Sequence, residues 1–114
     1  MSTPSLIPLD EAGFHPRLAA TPGLALVLFG GPDCGACRVA EARLPEAAPA
    51  GAALFKVDVQ RATALARAFD VFHLPDLRLY KDGHYHARLA CEISPASLAA
   101  ALARVLALPA EEEP

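Results

Sequence analysis

Apolar runs and turn-forming residues alternate along most of this chain. The six apolar residues Leu24–Phe29 are short enough to form a strand buried on both faces, the kind found in parallel sheets. The Gly-Gly-Pro segment at residues 30–32 ends this run. Good helix formers then fill Gly35–Ala47, with Asp33 at the expected N-cap position. The pattern predicts a buried strand that leads through a tight loop into a helix.

The middle of the chain continues this alternation. Residues 53–59 alternate in hydropathy as a strand does, and residues 63–69 repeat apolar residues at helical spacing. Together with the first strand and helix, and with a later strand over Asp76–Tyr80, these segments form a βαβαβ series. Such a series predicts a sheet that is parallel at its crossovers.

The last third of the chain changes character. The runs Asp76–Tyr80 and Tyr85–Cys91 are joined through Asp82-Gly83, which supplies the positive φ angles of a tight hairpin turn. Strict alternation would place Cys91 on the same face as Tyr85 and Leu89, with the histidines at 84 and 86 opposite. Ser94 and Pro95 then read as the N-cap and first residue of a final helix.

The segments at the two termini carry weaker signals. Leu6-Ile7 can form at most a short edge strand, because a proline follows it directly. Asp10 with Glu11 can cap a helix that runs toward Ala20. The acidic tail, residues 107–114, is expected to be solvated.

Composition sets the class of protein. A chain of 114 residues with 54% hydrophobic and 20% charged residues is expected to form a single domain over residues 1–114, with its core at about 9–106. The net charge of −3 argues against a nucleic-acid or membrane partner. No signal peptide is visible and the longest apolar run is shorter than a membrane span, so a cytoplasmic location is expected.

Two of the three cysteines have the spacing Cys-x-x-Cys. Cys34 stands near a helix N-terminus, where unpaired N–H groups and the helix dipole favour a thiolate, and Cys37 lies about one turn away. A zinc site would need two further ligands. The nearby candidates are His73, His84, His86 and Cys91. The last three cannot easily converge, so redox chemistry without a metal or cofactor is favoured over zinc, and a redox-silent pair stays as an alternative.

The motif Cys34-Gly35-Ala36-Cys37, after a strand and before a helix, resembles the thioredoxin family. A second landmark, residues 73–83, resembles the cis-proline strand and hairpin of that family. The resemblance implies an α/β thioredoxin fold, a central mixed sheet with helices on both faces. It further implies a monomeric thiol-disulfide oxidoreductase in which Cys34 is the nucleophile and Cys37 resolves the mixed disulfide. The implied partners are a protein disulfide substrate and a thioredoxin-reductase-like electron donor. The implied substrate groove comprises Asp33, Gly35, Ala36, His73, Leu74, Pro75 and Cys91.

Several residues depart from the pattern of that family. Asp33 replaces the usual tryptophan, and its charge opposes thiolate formation at the next residue. Ala36 replaces a proline. Leu28 occupies the position of the family's buried carboxylate, with Asp76 as a possible substitute unless Arg78 pairs with it. These departures indicate a specialised relative of thioredoxin. The alternative is a thioredoxin-like binding module with redox-silent or metal-binding cysteines.

Overall fold

A computed structural model describes residues 5–114, and residues 1–4 of the predicted domain lie outside it. Five strands form one sheet in the order β1-β3-β2-β4-β5. The elements in chain order are β1 (Ile7–Pro8), α1 (Phe14–Ala19), β2 (Leu24–Gly30), α2 (Gly35–Ala47), β3 (Ala53–Asp58), α3 (Thr63–Ala68), β4 (Asp76–Lys81), β5 (His84–Leu89) and α4 (Pro95–Leu106). Within the described chain, no helix has the length and apolar character needed to cross a membrane.

The sheet is mixed, as predicted, but the direction of one strand differs from the prediction. β3 pairs in parallel with both β1 and β2, whereas β4 pairs antiparallel with β2. The parallel second crossover predicted from the βαβαβ series is therefore wrong. The six residues of α3 span only about 9 Å, while a six-residue strand spans about 20 Å. A helix this short does not carry the chain back along β3, and β4 starts with Asp76 opposite Phe29, at the same end of the sheet where β3 stops with Asp58 opposite Gly30.

Helices cover both faces of the sheet, as predicted, and the two faces differ in composition. We call the face under α1 and α3 the aromatic face. Its buried aromatic side chains are Phe14, Phe29, Phe55, Phe69, Tyr80 and Tyr85. We call the face under α2 and α4 the aliphatic face, because its buried cluster consists of leucines and alanines. The alternation of side chains along β2 supplies both faces, which explains why that strand is apolar throughout.

The N-terminal region is shorter in regular structure than the sequence predicts. β1 is the short edge strand expected, and it pairs with β3. Helix α1 begins at Phe14 instead of near Asp10. The Oδ1 atom of Asp10 accepts a hydrogen bond from the Gly13 N–H at 2.6 Å, so Asp10 closes the turn that precedes the helix.

The hairpin contains a bulge that the hydropathy pattern does not reveal. Asp82 and Gly83 have φ angles of 49° and 84°, as predicted for a tight turn. The pairing register shifts between Leu79 and Tyr80, so that His86 is the extra residue of β5. As a result Tyr85 faces the aromatic cluster and Leu89 the aliphatic one, and the predicted common face is wrong.

His86 is buried as a consequence of this bulge. Its Nε2 atom lies 2.7 Å from the carbonyl oxygen of Val105 in α4. The strand ends at Leu89, two residues before the predicted end at Cys91. Cys91 instead follows the strand and packs against the aliphatic cluster.

The C-terminal helix begins as predicted, with the Ser94 hydroxyl accepting from the Ser97 N–H at 3.3 Å. The acidic tail after it is exposed, but it has contacts that the sequence does not suggest. The Glu111 N–H donates to the His86 carbonyl at 2.7 Å, at the free edge of β5. The Glu113 carboxylate accepts from the Tyr80 hydroxyl. The tail therefore runs along the edge of the sheet instead of being fully solvated.

Candidate active site

The centre of the site is a disulfide between Cys34 and Cys37, whose Cα atoms are 5.2 Å apart. Cys34 has extended backbone angles and is itself the N-cap of α2, so the predicted N-cap at Asp33 is wrong. The reason is local: the helix begins at Gly35, and the Cys34 sulfur accepts the Cys37 N–H at 3.1 Å. This sulfur thus takes the place of the capping oxygen, next to the positive end of the helix dipole.

The two sulfur atoms have different access to solvent. Cys34 is partly exposed, whereas Cys37 is only 5% exposed. Cys37 packs directly over Gly30, the last residue of β2. A Cβ atom on Gly30 would lie 3.1 Å from the Cβ of Cys37 and 3.3 Å from its sulfur. The absence of a side chain at Gly30 therefore leaves room for Cys37 between α2 and the sheet. From the sequence, Gly30 was predicted only to end the strand.

The segment before β4 lies beside the loop that precedes the disulfide. The Leu74–Pro75 peptide bond is cis. The Leu74 side chain would lie 3.5 Å from a Cβ atom built on Gly31, so the two segments run close together. Phe72 is 82% exposed, which is unusual for a large apolar side chain, and His73 is also exposed. The segment that leads to the cis-proline therefore presents a large apolar side chain to solvent.

A groove of about 240 Å³ lies on the aliphatic side of the molecule, and Ala36, between the two cysteines, forms part of its wall. It brings together three of the predicted groove residues, Ala36, Pro75 and Cys91. Its wall is otherwise mostly apolar and includes Val39 and Ile93. The remaining predicted residues, Asp33, Gly35, His73 and Leu74, lie outside this lining. Burial raises the pKa of the Cys91 thiol, which the charge of Arg104 partly offsets.

The position of the missing carboxylate is occupied by a leucine that is almost fully buried. Leu28 lies on the aliphatic face, under α2. Asp76, the substitute considered from the sequence, forms a bidentate pair with Arg78, at 2.6 and 3.2 Å. A second arginine, Arg88, approaches the same carboxylate at 3.4 Å. Asp76 shares the face of Arg78, which lies over the Phe69 ring. The geometry therefore gives Asp76 a pairing role on the aromatic face and does not support it as a proton acceptor for Cys37.

A second ion pair lies close to the disulfide, and sequence reasoning missed it. Lys56 of β3 and Glu41 of α2 approach each other to 2.5 Å. Both residues line a larger cavity, of about 900 Å³, that also includes Cys37 and Leu28. The available signal was the spacing of four residues between Cys37 and Glu41, which places both on one side of a helix. The partner Lys56 could be found only once the register of the strands was known.

The cysteines and histidines considered as zinc ligands can be located in the structure. Over residues 5–114, no three His, Cys, Asp or Glu side chains are grouped so that they could hold a metal ion. Of the four zinc candidates, His86 contacts α4 and Cys91 lines the groove.

Comparisons with known proteins agree with this architecture. The family model described as Thioredoxin matches residues 5–104. No curated protein matches the chain. Among solved structures, a zinc-bound form of human ERp44 is similar, with a TM-score of 0.72 and 18% sequence identity. The match covers 89% of this chain but 30% of that one, so the likeness concerns the fold of one region of a longer protein.

Proposed function

The chain belongs to the thioredoxin family, and from this premise we propose that it is a thiol-disulfide oxidoreductase that reduces or exchanges protein disulfides. One observation carries the proposal: Cys34 is partly exposed at a helix N-terminus, and Cys37 is buried one turn later within disulfide distance. A nucleophile must reach its substrate, and a resolving thiol must reach the nucleophile. The different exposures of the two cysteines match these requirements.

The proposed reaction has two exchange steps. The Cys34 thiolate attacks one sulfur of a substrate disulfide, and the other sulfur leaves as a thiolate that takes up a proton. The Cys37 sulfur, after loss of its proton, then attacks Cys34. This second attack forms the Cys34–Cys37 disulfide and releases the remaining substrate sulfur, so the substrate gains two electrons and the protein loses two.

The groove supports a protein substrate over a small thiol. Its wall is mostly apolar apart from Arg43 and Glu92, and it includes Pro75 and Ala36, which follows the nucleophile by two residues. We propose that an extended segment of substrate lies there and pairs with the backbone of Leu74, directly before the cis-proline, in the manner of an added strand. We propose in addition that the protein acts as a monomer and is reduced again by a thioredoxin-reductase-like donor. A cytoplasmic location is part of the same proposal, since three cysteines, an odd number, suit a reducing compartment.

The test is reduction of a two-chain protein whose chains are joined by disulfides, with dithiothreitol as the electron source. We expect the protein to accelerate the reduction, and the Cys34→Ser variant to lose the acceleration. The Cys37→Ser variant should accumulate a mixed disulfide on Cys34, which mass spectrometry detects. Cys91→Ser keeps the proposed dithiol and should still form the mixed disulfide through Cys34, which separates the pair from the third thiol in the groove.

The opposite result would favour the other class of function. If the wild-type protein does not accelerate reduction and no mixed disulfide forms on Cys37→Ser, the cysteine pair is redox-silent. The protein would then be a thioredoxin-like binding module. Zinc titration of the reduced protein, followed by loss of free thiols, would identify the metal-binding version of that alternative.

A further inference from the structure

The cavity behind Cys37 contains a carboxylate that the proposed reaction can use. Lys56 of β3 and Leu28 of β2 are register partners on neighbouring parallel strands. Their side chains therefore share the face that lies under α2. The position where the family has a buried carboxylate is thus beside Lys56, and here it is an apolar residue. The Lys56 ammonium pairs instead with Glu41, on the helix above.

Glu41 is well placed relative to the buried thiol. It follows Cys37 by four residues on α2, a spacing that brings the Cβ atoms within about 6 Å of each other. Both side chains line the same cavity of about 900 Å³, which is large and polar enough to hold water. The side chains of Glu41 and Lys56 are each 40% exposed, so a proton received at Glu41 can pass on to bulk solvent.

The other charged groups at this cavity are less suitable. They are Asp10, Arg17, Arg38, Asp58 and Arg61. The Asp10 carboxylate is held by the Gly13 N–H, and the Asp58 carboxylate accepts the Gln60 N–H at 2.9 Å in a turn. Glu41 differs from both, because its partner is the flexible ammonium of Lys56 and no backbone turn depends on it.

We propose that Glu41 accepts the proton of Cys37 when Cys37 attacks the mixed disulfide, and that Lys56 positions the carboxylate for this step. The proposal rests on the proposed oxidoreductase function. The proton moves from the Cys37 sulfur through cavity water to Glu41. The electron pair left on that sulfur forms the bond to Cys34, and the pair of the broken bond leaves with the substrate sulfur.

The sign of the Glu41→Gln effect separates this proposal from simple electrostatics. A negative charge near Cys37 disfavours its thiolate by like-charge repulsion. If Glu41 acted only through its charge, removing that charge would make Cys37 a faster nucleophile. If Glu41 accepts the proton, removing the carboxylate slows the attack of Cys37 on the mixed disulfide.

Stopped-flow reaction of the reduced protein with Ellman's reagent resolves the two steps. The first coloured thiolate is released when Cys34 attacks the reagent, and the second when Cys37 attacks the resulting mixed disulfide. All variants carry Cys91→Ala, so that no third thiol contributes to the signal. The leaving thiolate needs no proton, so the second rate reports deprotonation and attack by Cys37 alone.

We expect Glu41→Gln to leave the first release unchanged and to slow the second by about 100-fold near neutral pH, the low end of the range for loss of a general base. The slowing should disappear at alkaline pH, where solvent removes the proton. Asp58→Asn is the matched control at the same cavity and should leave both releases unchanged. Thermal unfolding of each variant checks that the fold is intact.

Two results would overturn the proposal. A second release that is unchanged or faster in Glu41→Gln would assign Glu41 an electrostatic or structural role only. A slow second release in Asp58→Asn with a normal one in Glu41→Gln would assign the proton to Asp58. The absence of a first release in the wild-type protein would instead contradict the oxidoreductase function itself.

Discussion

The two faces of the sheet differ in where their carboxylates lie, buried on one face and in reach of solvent on the other. The aromatic face buries an aspartate, and Asp76 there is only 2% exposed at its side chain but is held by two arginines. The aliphatic face buries Leu28, and the carboxylate of Glu41 on α2 stays at the cavity wall with access to solvent. A buried charge is tolerated only while its partners remain, and removing one of them is costly, whereas a charge that exchanges protons needs a route to water.

The comparison suggests a division of roles between the faces. The aromatic cluster and its ion pair contribute stability, while the cysteine pair and the groove lie on the aliphatic side. Changes on the aromatic face should therefore reduce stability and leave disulfide exchange intact. Changes under α2 should alter exchange.

The largest expected effect comes from breaking the buried pair. Arg78 donates to Asp76, to the Phe69 carbonyl and to the Tyr85 hydroxyl. We expect Arg78→Leu to lower the free energy of unfolding by about 3–5 kcal/mol, because it leaves a buried carboxylate largely unpaired. Urea denaturation measures this loss, and the rate of the first release from Ellman's reagent, measured on the folded variant, should not change.

Arg88 provides the matched control, because its side chain is 52% exposed and contacts the same carboxylate from the surface. We expect Arg88→Gln to cost at most about 1 kcal/mol. Equal losses in Arg78→Leu and Arg88→Gln would show that the buried pair is not the main electrostatic support of this face.

A second prediction moves a carboxylate to the aliphatic face. Leu28→Asp should lower the free energy of unfolding by about 3 kcal/mol, because leucine packing is lost and the new carboxylate is buried beside a lysine that already pairs with Glu41. It should also accelerate the attack of Cys37 and restore it in a Glu41→Gln background, since Lys56 and the cavity lie next to position 28. The second release from Ellman's reagent measures this rate.

Leu28→Asn is the control for this change. It has nearly the same size and a similar polar cost, but it cannot accept a proton. A faster second release in Leu28→Asn, or an unchanged second release in a folded Leu28→Asp, would mean that proton transfer does not limit the attack of Cys37.

The sequence predicts local features of the two faces better than features that depend on distant segments. The range of α2, the Asp82-Gly83 turn and the Ser94 cap follow from local chemistry and were predicted correctly, and the end of β2 was predicted to within one residue. The pairing of Asp76 with Arg78 was considered because the two lie two residues apart on one strand face. These features depend on neighbours within a few residues of each other.

Features that depend on distant segments were missed or assigned wrongly. The bulge at His86 leaves the alternation of apolar residues around it unbroken, so the switch of faces has no hydropathy signal. The direction of β4 depends on where a short helix delivers the chain. The pairing of Glu41 with Lys56 depends on the helix above the sheet, which spacing along the chain does not determine.

A third prediction concerns alkaline stability of the aromatic face. Burial and the hydrogen bond to Glu113 raise the pKa of Tyr80 well above its usual value of 10, and burial also raises the pKa of Tyr85. The folded chain favours the neutral form of both tyrosines. Their contribution to the free energy of unfolding is therefore complete below about pH 10. It is lost as the pH rises, by up to about 1.4 kcal/mol per pH unit for each tyrosine. Urea denaturation from pH 9 to 11 should show this decline.

Tyr80→Phe should make the decline in the free energy of unfolding less steep, by up to about 1.4 kcal/mol per pH unit, because only Tyr85 remains to ionise. It should also lower stability below pH 9 by about 1 kcal/mol, because the Glu113 carboxylate loses its donor. A decline of equal steepness in both proteins would assign the alkaline loss to groups outside this face.

The smallest expected effect concerns Cys91, the thiol that borders the groove on the aliphatic side. Burial raises its pKa, so at neutral pH iodoacetamide should label Cys34 of the reduced protein first and Cys91 slowly. Cys91→Ala should cost about 1 kcal/mol or less, since it removes only one partly buried sulfur. Because Cys91 shares the groove with Ala36 and Pro75, a peptide joined to Cys34 in a Cys37→Ser variant should cover it. We therefore expect slower labelling of Cys91 with the peptide attached than with the small thionitrobenzoate group, and equal labelling rates would place the bound substrate outside this groove.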